Sequence, residues 1–478
     1  MSNSNTSMDF DLVILGSGPA GFSCAIQATQ YKKKVIIVEA NDRFLGGGWI
    51  NAGTVPSKAL REVAYSVFKH RQQFGEETPD TRSDMQMLTM NELMRFKTKV
   101  QENETRLLKQ DLKKNKIKTI SGFGRLLDDH TVEVATPDGK KTIYTADKIL
   151  LATGSHALPP IAFDIDQEKT FDVDSLTKMN HMPRRLVIVG AGVNAVEFAT
   201  MFSAMGTMVT ILNENDKYLP FLDRQIWTEF DRFLQDRGIV LYHNSRIESV
   251  EFNPLRNFTE VRFNTNDADQ LKVIETDHVL YLGGRQPNTN KLGLVNTGIK
   301  VNDRGFIDVN EYYQTNVTSV YAAGDVIGFP ALASASFTQG RLAAQHMFGK
   351  KAETAPAHIP FGIYSIPEIS SIGITEEEAR TQERNFETGA CYFNELTRAD
   401  IGNTTYGVLK LVYESDTRQL LGVHIMGENA CELIHIGQAV MALKGTIDYF
   451  TSEILNYPTY TEAYRIAATQ ERERSTSR

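Results

Sequence analysis

Apolar and polar positions follow the same order in two separate stretches of the chain. Residues 10–15, FDLVIL, form a largely apolar run of strand length; Gly16, Ser17, Gly18, Pro19, Ala20 and Gly21 follow, then a helical stretch through Gln30. A second apolar run, KVIIVE, ends at Glu39, 23 residues beyond Gly16. Strand, glycine turn, helix and strand together predict a dinucleotide-binding unit. Gly16 permits the tight turn, Gly18 lets a pyrophosphate approach the backbone, and Gly21 allows the helix to pack close to the strand. The helix N-terminus favours negative charge, and the Glu39 carboxylate can accept hydrogen bonds from ribose hydroxyls. The same order returns at residues 186–214, where LVIVG leads into Ala191, Gly192, Val193, Asn194 and Ala195, then the helix VEFATMFSAMG and the strand MVTIL. Ala195 replaces the third glycine, which this turn tolerates. Asn213 takes the acidic position, with Glu214 and Asn215 after it and Lys217 the nearest cation, so the choice between NAD and NADP stays open. Two units imply two nucleotides.

The remaining pattern divides the chain. Residues 89–113 have helical spacing with abundant charge and read as a solvated helix. The segment LPPIAFDIDQ, with two prolines, marks a crossing near residue 158, and Gly283 and Gly284 mark the return. Beyond KAETAPAHIP, strands such as GVLKLVY and LLGVHIMG and the helix ENACELIHIGQAVMALKG indicate a mixed domain. The expected pieces are residues 1–157, 158–283, 284–353 continuing the first, and 354–478, with residues 1–8 and ERERSTSR as frayed polar ends. A length of 478 residues exceeds a single core. Basic residues number 51 against 59 acidic, a net charge of −8, so neither nucleic acid nor an anionic membrane is an expected partner. No apolar run approaches membrane-spanning length and MSNSNTSMDF is no signal peptide, which makes the cytoplasm the expected location. Cys24, Cys391 and Cys431 form no spaced pair; a reducing compartment and no metal are expected.

Five motifs now stand in order: the two glycine turns, ILLATGS at 149–155, VLYLGGRQPN at 279–288 and VYAAGDVIGFPALASA at 320–335. In that order they resemble the two-dinucleotide flavoprotein family of dihydrolipoamide dehydrogenase and glutathione reductase, from residue 10 to 468. The resemblance implies an α/β protein with two Rossmann-like dinucleotide-binding domains, for FAD and NAD(P), and a C-terminal α+β dimerisation domain. It implies FAD contacts from Gly16, Gly18, Pro19, Ala20, Gly21, Glu39, Gly47, Gly48, Lys58, Gly124, Thr153, Gly154, Asp325 and Ala333, with Asp325 at the ribityl chain. Gly190, Gly192, Val193, Ala195, Glu197, Asn213, Ile247 and Gly284 would surround the nicotinamide nucleotide. Val193 replaces a Tyr that covers this pocket in several glutathione reductases, which suggests a more open site. A homodimer is implied, whose C-terminal end reaches the partner's flavin site.

The redox motif of that family is present without its redox groups. GGxCxNxGCxPSK becomes GGGWINAGTVPSK at 46–58, which keeps Gly46, Gly47, Asn51, Gly53, Pro56, Ser57 and Lys58 but puts Trp49 and Thr54 at the two cysteines. Neither side chain can form a mixed disulfide. The family's HPTxxE becomes YPTYTE, with Tyr457 for the acid-base His, and a phenol of ordinary pKa about 10 is a poor base near neutrality. The hydride half-reaction keeps its parts: the resemblance places Glu197 beside Lys58 near flavin N5. GTVPSKALR, GDVIGFPALASA, GIYSIPEISSIG and NYPTYTEAYR resemble the soluble pyridine nucleotide transhydrogenase subfamily, although Trp49, Glu214 and Asn215 depart from it. The expected activity is hydride transfer between NAD(P)H and NAD(P)+ through FAD with ping-pong kinetics, and no disulfide reduction. The alternatives are an NAD(P)H dehydrogenase reducing a quinone or other acceptor, with Trp49 and Tyr457 as plug or aromatic slot, and a catalytically silent FAD-binding dimer.

Overall fold

The apolar run at residues 10–15 becomes the strand Phe10–Leu15, in which Leu12, Val13 and Ile14 have no exposed surface. A strand buried on both faces belongs inside a sheet that is covered on both sides. The structure, a computed structural model, describes residues 8–74, 89–179, 181–265, 268–349 and 353–470; apart from Met8, the two frayed ends read from the sequence lie outside them, as do Lys351 and Ala352 of KAETAPAHIP. The chain forms two units: Met1–Ala59, Met94–Leu158 and Gly284–Pro356 make the first, and Leu60–Leu93, Pro159–Gly283 and Ala357–Arg478 the second.

In the first unit Phe10–Leu15 pairs in parallel with Val35–Glu39 on one side and Lys141–Leu151 on the other, and Val35–Glu39 continues to Lys118–Ser121. Val320–Ala322 adds in parallel to Lys141–Leu151, while Thr131–Ala135 and Phe123–Leu126 extend the sheet as an antiparallel meander. Alternate side chains of the first strand point to opposite faces. Leu12 and Ile14 pack with Cys24 and Ala28 of the helix Pro19–Gln30 and Leu342 of the helix Ala333–Phe348. Val13 and Leu15 pack with Leu126, Val132 and Val134 of the meander. The helix expected at 89–113 runs from Met90 to Lys114. It is not merely solvated: Leu108 and Leu112 enter the core, Gln101 Nε2 donates to the carbonyls of Ile50 and Asn51, and Lys97 is buried, which pulls its pKa down. Counting charges hid an apolar stripe at helical spacing.

The second unit holds a parallel sheet in the order Val240–Tyr242, Met208–Leu212, Arg185–Val189, His278–Tyr281, Thr170–Asp172. Beside it run three antiparallel strands, Ser245–Asn253, Phe258–Thr265 and Ala268–Thr276, whose Val261 and Phe263 share a core with Val187 and Val279. A third, antiparallel sheet orders Phe361–Ile363, Glu368–Gly373, Leu420–Gly427, Val408–Glu414 and Phe386–Tyr392, against which the helix Ala430–Ala442 packs. No helix among the described residues is long and apolar enough to cross a membrane.

Candidate active site

The first glycine turn is built as its sequence predicts. Gly16 has φ +104°, and a Cβ there would lie 2.2 Å from the Ala152 carbonyl oxygen, so the turn requires glycine. A Cβ on Gly21 would meet the Gly16 oxygen at 2.1 Å, whereas one on Gly18 would find nothing within 4 Å. Gly18 is the N-cap of Pro19–Gln30, which has no side-chain cap and no acidic residue in its first turn; Pro19 and Ala20 begin that helix. Its N-terminal N–H groups are therefore left to an acceptor of another kind, the arrangement that binds a pyrophosphate. Glu39 ends its strand, and its Oε2 accepts from the Ser17 amide at 3.0 Å and hydroxyl at 2.6 Å, while Ser17 Oγ accepts from the Gly46 amide. Ser17 thus ties the glycine turn, the acidic residue and the 46–58 segment together; its place inside the GxGxxG spacing hid that role from the sequence.

Further groups gather in the same unit. Gly47 caps the short helix Gly48–Asn51, and a Cβ on Gly48 would face open space. Asn51 Nδ2 donates to the carbonyls of Leu45 and Gly47, which explains why this motif keeps its Asn without its cysteines. Gly124 lets the Leu15 side chain approach, since a Cβ there would meet it at 2.5 Å. Thr153 Oγ1 donates to the Asn288 carbonyl, and Asn288 returns bonds from Nδ2 to the Thr153 carbonyl and from its amide to the Gly154 carbonyl. Asn288 ends RQPN, yet its bracing role had no sequence signal. Asp325 Oδ2 accepts from Ser155 Oγ at 2.7 Å, and Arg285 donates to that hydroxyl and to the Ser155 carbonyl. Ala333 opens the helix Ala333–Phe348, which also lacks a side-chain cap. Gly284, φ +122°, accepts from the Leu158 amide through its carbonyl and falls within this unit. Open positions at Gly18, Gly48 and Gly154, two uncapped helix N-termini and a strand-end carboxylate fit an extended dinucleotide such as FAD.

The old redox positions are filled. Trp49 is half-buried, its ring 4.9 Å from Phe337 edge to face and 6.3 Å from Phe22. Thr54 is exposed at the start of the helix Thr54–Phe74, and Lys58, one turn later, is half-buried with Nζ 3.3 Å from Ser57 Oγ. Burial drives the thiols of Cys24 and Cys391 upward, the latter to about 12, so neither is a ready thiolate. Tyr457 is 66% exposed and donates to Thr397 Oγ1.

In the second unit Gly190 repeats the Gly16 geometry, with φ +104° and a Cβ that would lie 2.5 Å from the Leu282 oxygen. Gly192 caps the helix Val193–Ala204, again without a side-chain cap, and Ala195 is buried beneath it. Asn213 is 3% exposed, its amide close to His243 Nδ1 and its Oδ1 accepting from the Asn215 amide, whereas Glu214 is exposed. Burial, then the Glu214 charge, raise the Tyr281 phenol. Ile247 lies at an irregularity of its strand and packs on the sheet core. Glu197 is 2% exposed and its Oε1 accepts from the Tyr364 amide at 2.8 Å.

Comparison with known proteins gives the family. The pyridine nucleotide-disulphide oxidoreductase family matches residues 10–340, and its dimerisation domain residues 359–468. A soluble pyridine nucleotide transhydrogenase of Pseudomonas aeruginosa (strain LESB58) is 37% identical over 468 residues, covering 96% of this chain and 97% of that protein. One from Mycobacterium tuberculosis (strain ATCC 25177 / H37Ra) is 37% identical over 463 residues, covering 96% of each. Among solved structures, the HOCl-induced flavoprotein disulfide reductase RclA from Escherichia coli superposes with a TM-score of 0.85 at 25% identity, over 96% of this chain and 99% of that one. The chain belongs to the pyridine nucleotide-disulphide oxidoreductase family: it is a transhydrogenase-like flavoenzyme that takes FAD and NAD(P)H and carries the family's homodimer-forming domain.

Proposed function

We propose that the protein moves hydride between NAD(P)H and NAD(P)+ at one nicotinamide site and reduces no disulfide. The observation that carries this reading is the aromatic filling of the redox segment: Trp49 packs on Phe22 and Phe337 where a thiol would be needed, and Thr54 offers only a hydroxyl. That packing favours Trp49 as a seal over Trp49 as a slot for a flat acceptor. Residues 1–157 and 284–353 are assigned to FAD, 158–283 to NAD(P) and 354–478 to dimerisation.

FAD, when bound, supplies the N5 position that accepts and returns hydride. The chain's own residues hold and orient. The uncapped N-terminus at Gly18–Pro19 takes the pyrophosphate, Glu39 a ribose, and Asp325, braced by Ser155 and Arg285, the ribityl chain. Gly190, Gly192 and the N-terminus of Val193–Ala204 take the nicotinamide nucleotide, with Val193, Asn213 and Ile247 around it. Glu214 stands exposed beside Asn213 and would repel a 2′-phosphate, which favours NAD(H) for tight binding. Lys58 and Glu197 are the charged groups assigned to the reacting end.

Anaerobic mixing of the FAD-loaded protein with NADPH and thio-NAD+ tests the reading. Thionicotinamide reduction at a steady rate, with parallel lines in double-reciprocal plots, is the expected result. Flavin that is reduced by NAD(P)H but passes nothing to thio-NAD+, or turnover of lipoamide or glutathione disulfide, would reject it.

A further inference from the structure

The segment Tyr364–Glu368 lies outside both glycine turns, yet four of its residues reach either the helix that carries Glu197 or the side chain of Arg61. The Tyr364 amide donates to Glu197 Oε1 at 2.8 Å, and one turn further along that helix the Ile366 amide donates to Thr200 Oγ1 at 3.0 Å. At the other end of the segment, Glu368 Oε1 lies 3.1 Å from the Arg61 guanidinium, which also reaches the Ser365 carbonyl, while Glu368 Oε2 accepts from the Cys431 amide. Arg61 stands three residues after Lys58 on the helix Thr54–Phe74. Around the half-buried Tyr364 the partners are buried: Glu197 2%, Thr200 3%, Ser365 0%, Ile366 1%, Arg61 8% and Glu368 8% exposed.

We propose that the Arg61–Glu368 pair is a positioning clamp: it pins Tyr364–Glu368 so that the Tyr364 and Ile366 amides fix the side chain of Glu197. The proposal rests on the reading of Glu197 and Lys58 as the groups at the reacting end. A buried ion pair contributes little net stability, because desolvation of both charges offsets their attraction, so stability alone is a weak reason to bury this one. Direction is the better reason. A guanidinium has fixed donor directions, and the bonds it makes to Glu368 and to the Ser365 carbonyl fix two points of a five-residue segment. The two amides then hold Glu197 and Thr200 one helical turn apart, which fixes rotation as well as distance. Apolar packing in the same place would hold the helices together but leave the carboxylate to choose among rotamers. This also gives a use to Arg61 at the end of GTVPSKALR and Glu368 within GIYSIPEISSIG.

The test compares Glu368→Gln and the paired Arg61→Met/Glu368→Leu with Glu197→Gln, each loaded with FAD, in anaerobic stopped-flow reduction by NADH. A displaced reacting group lowers the limiting rate while leaving nucleotide affinity in place. The expected result is a limiting rate about tenfold lower in Glu368→Gln and in the pair, with the NADH dissociation constant within about twofold of the parent. Removing both charges leaves no uncompensated ion but strips the Cys431 amide of its acceptor, so the pair is expected to melt only modestly below the parent. Slow reduction measured well below that melting point then reports geometry rather than unfolding. Glu368→Gln keeps the shape of the segment and decides the matter where the pair does not fold. Parental rates in Glu368→Gln with a slow Glu197→Gln overturn the clamp alone; a parental rate in Glu197→Gln overturns the assignment of Glu197 and the clamp with it.

Discussion

At the scale of single residues, His278 shows how one side chain sets a pH response. It is 1% exposed, neither ring nitrogen has a hydrogen-bond partner among the described residues, and it lies edge to face on Phe171. Burial first, then the charges of His181 and Lys169, pull its pKa from 6.5 to about 4 against the opposing carboxylates of Asp277 and Asp166. Between these two values the unfolded chain binds a proton that the folded chain refuses. Stability is therefore complete above pH 6.5 and falls as pH drops toward 4, by up to about 1.4 kcal/mol per pH unit. His278→Phe is expected to remove that slope, read from urea denaturation midpoints between pH 4 and 7; an unchanged slope would place the effect elsewhere. The sequence marks His278 only as a histidine opening a strand, because its burial depends on Phe171 and His181, supplied by distant turns of the chain. By contrast, the demands on Gly16 and Gly190 were legible because a turn of that shape is imposed by its own neighbours.

At the scale of elements, the helices Pro19–Gln30 and Ala333–Phe348 come together through a missing side chain. A Cβ on Gly340 would lie 2.0 Å from the Ala20 carbonyl oxygen, and nothing in that contact can yield but backbone. Gly340→Ala is expected to push the two helices apart, at a cost of about 3 kcal/mol, and to disturb the two uncapped N-termini assigned to FAD. Lower melting temperature together with FAD loss on gel filtration is the expected signature; full FAD retention would show that the helices part without disturbing the site. Strand, turn and helix read readily from the chain because hydrophobic period and glycine spacing are local signals. The bonds holding Glu197 were not legible: the Tyr364 amide lies 167 residues away, and a backbone donor leaves no mark on the residue type. The helix Met90–Lys114 was legible in extent but not in orientation, since its charges outnumber the few apolar positions that enter the core.

At the scale of the whole molecule, a buried charge cluster in the second unit joins the antiparallel sheet to the segment that opens the helix Arg224–Asp236. Lys410 Nζ lies 2.9 and 2.8 Å from the two oxygens of Asp223 and 2.5 Å from Glu376, and the Lys410 and Asp223 side chains are 2% and 0% exposed. Asp223 also caps the helix Arg224–Asp236. Lys410→Met would leave the buried Asp223 carboxylate without its cation while Glu376 keeps Arg380, at a cost of about 3–5 kcal/mol, and adding Asp223→Leu should return part of it. Chemical denaturation of the single and double variants checks this; equal losses in both would mean that the methionine itself does not fit. The sequence shows Lys410 only as one lysine inside the apolar run GVLKLVY, and nothing in that run names the distant carboxylates of Asp223 and Glu376 that it meets. The interleaving of the two units has a further consequence, for synthesis. The strand Phe10–Leu15 leaves the ribosome early, but Val320–Ala322 and the helix Ala333–Phe348 that complete its sheet and cover its face come after the whole stretch Pro159–Gly283. At roughly 5–20 residues per second the nascent first unit waits on the order of tens of seconds with that face only partly covered, by the helix Pro19–Gln30 and by Leu108 and Leu112. During that interval it is a substrate for holding chaperones, and slow codons between residues 159 and 320 would lengthen its exposure to aggregation without altering one side chain of the finished protein.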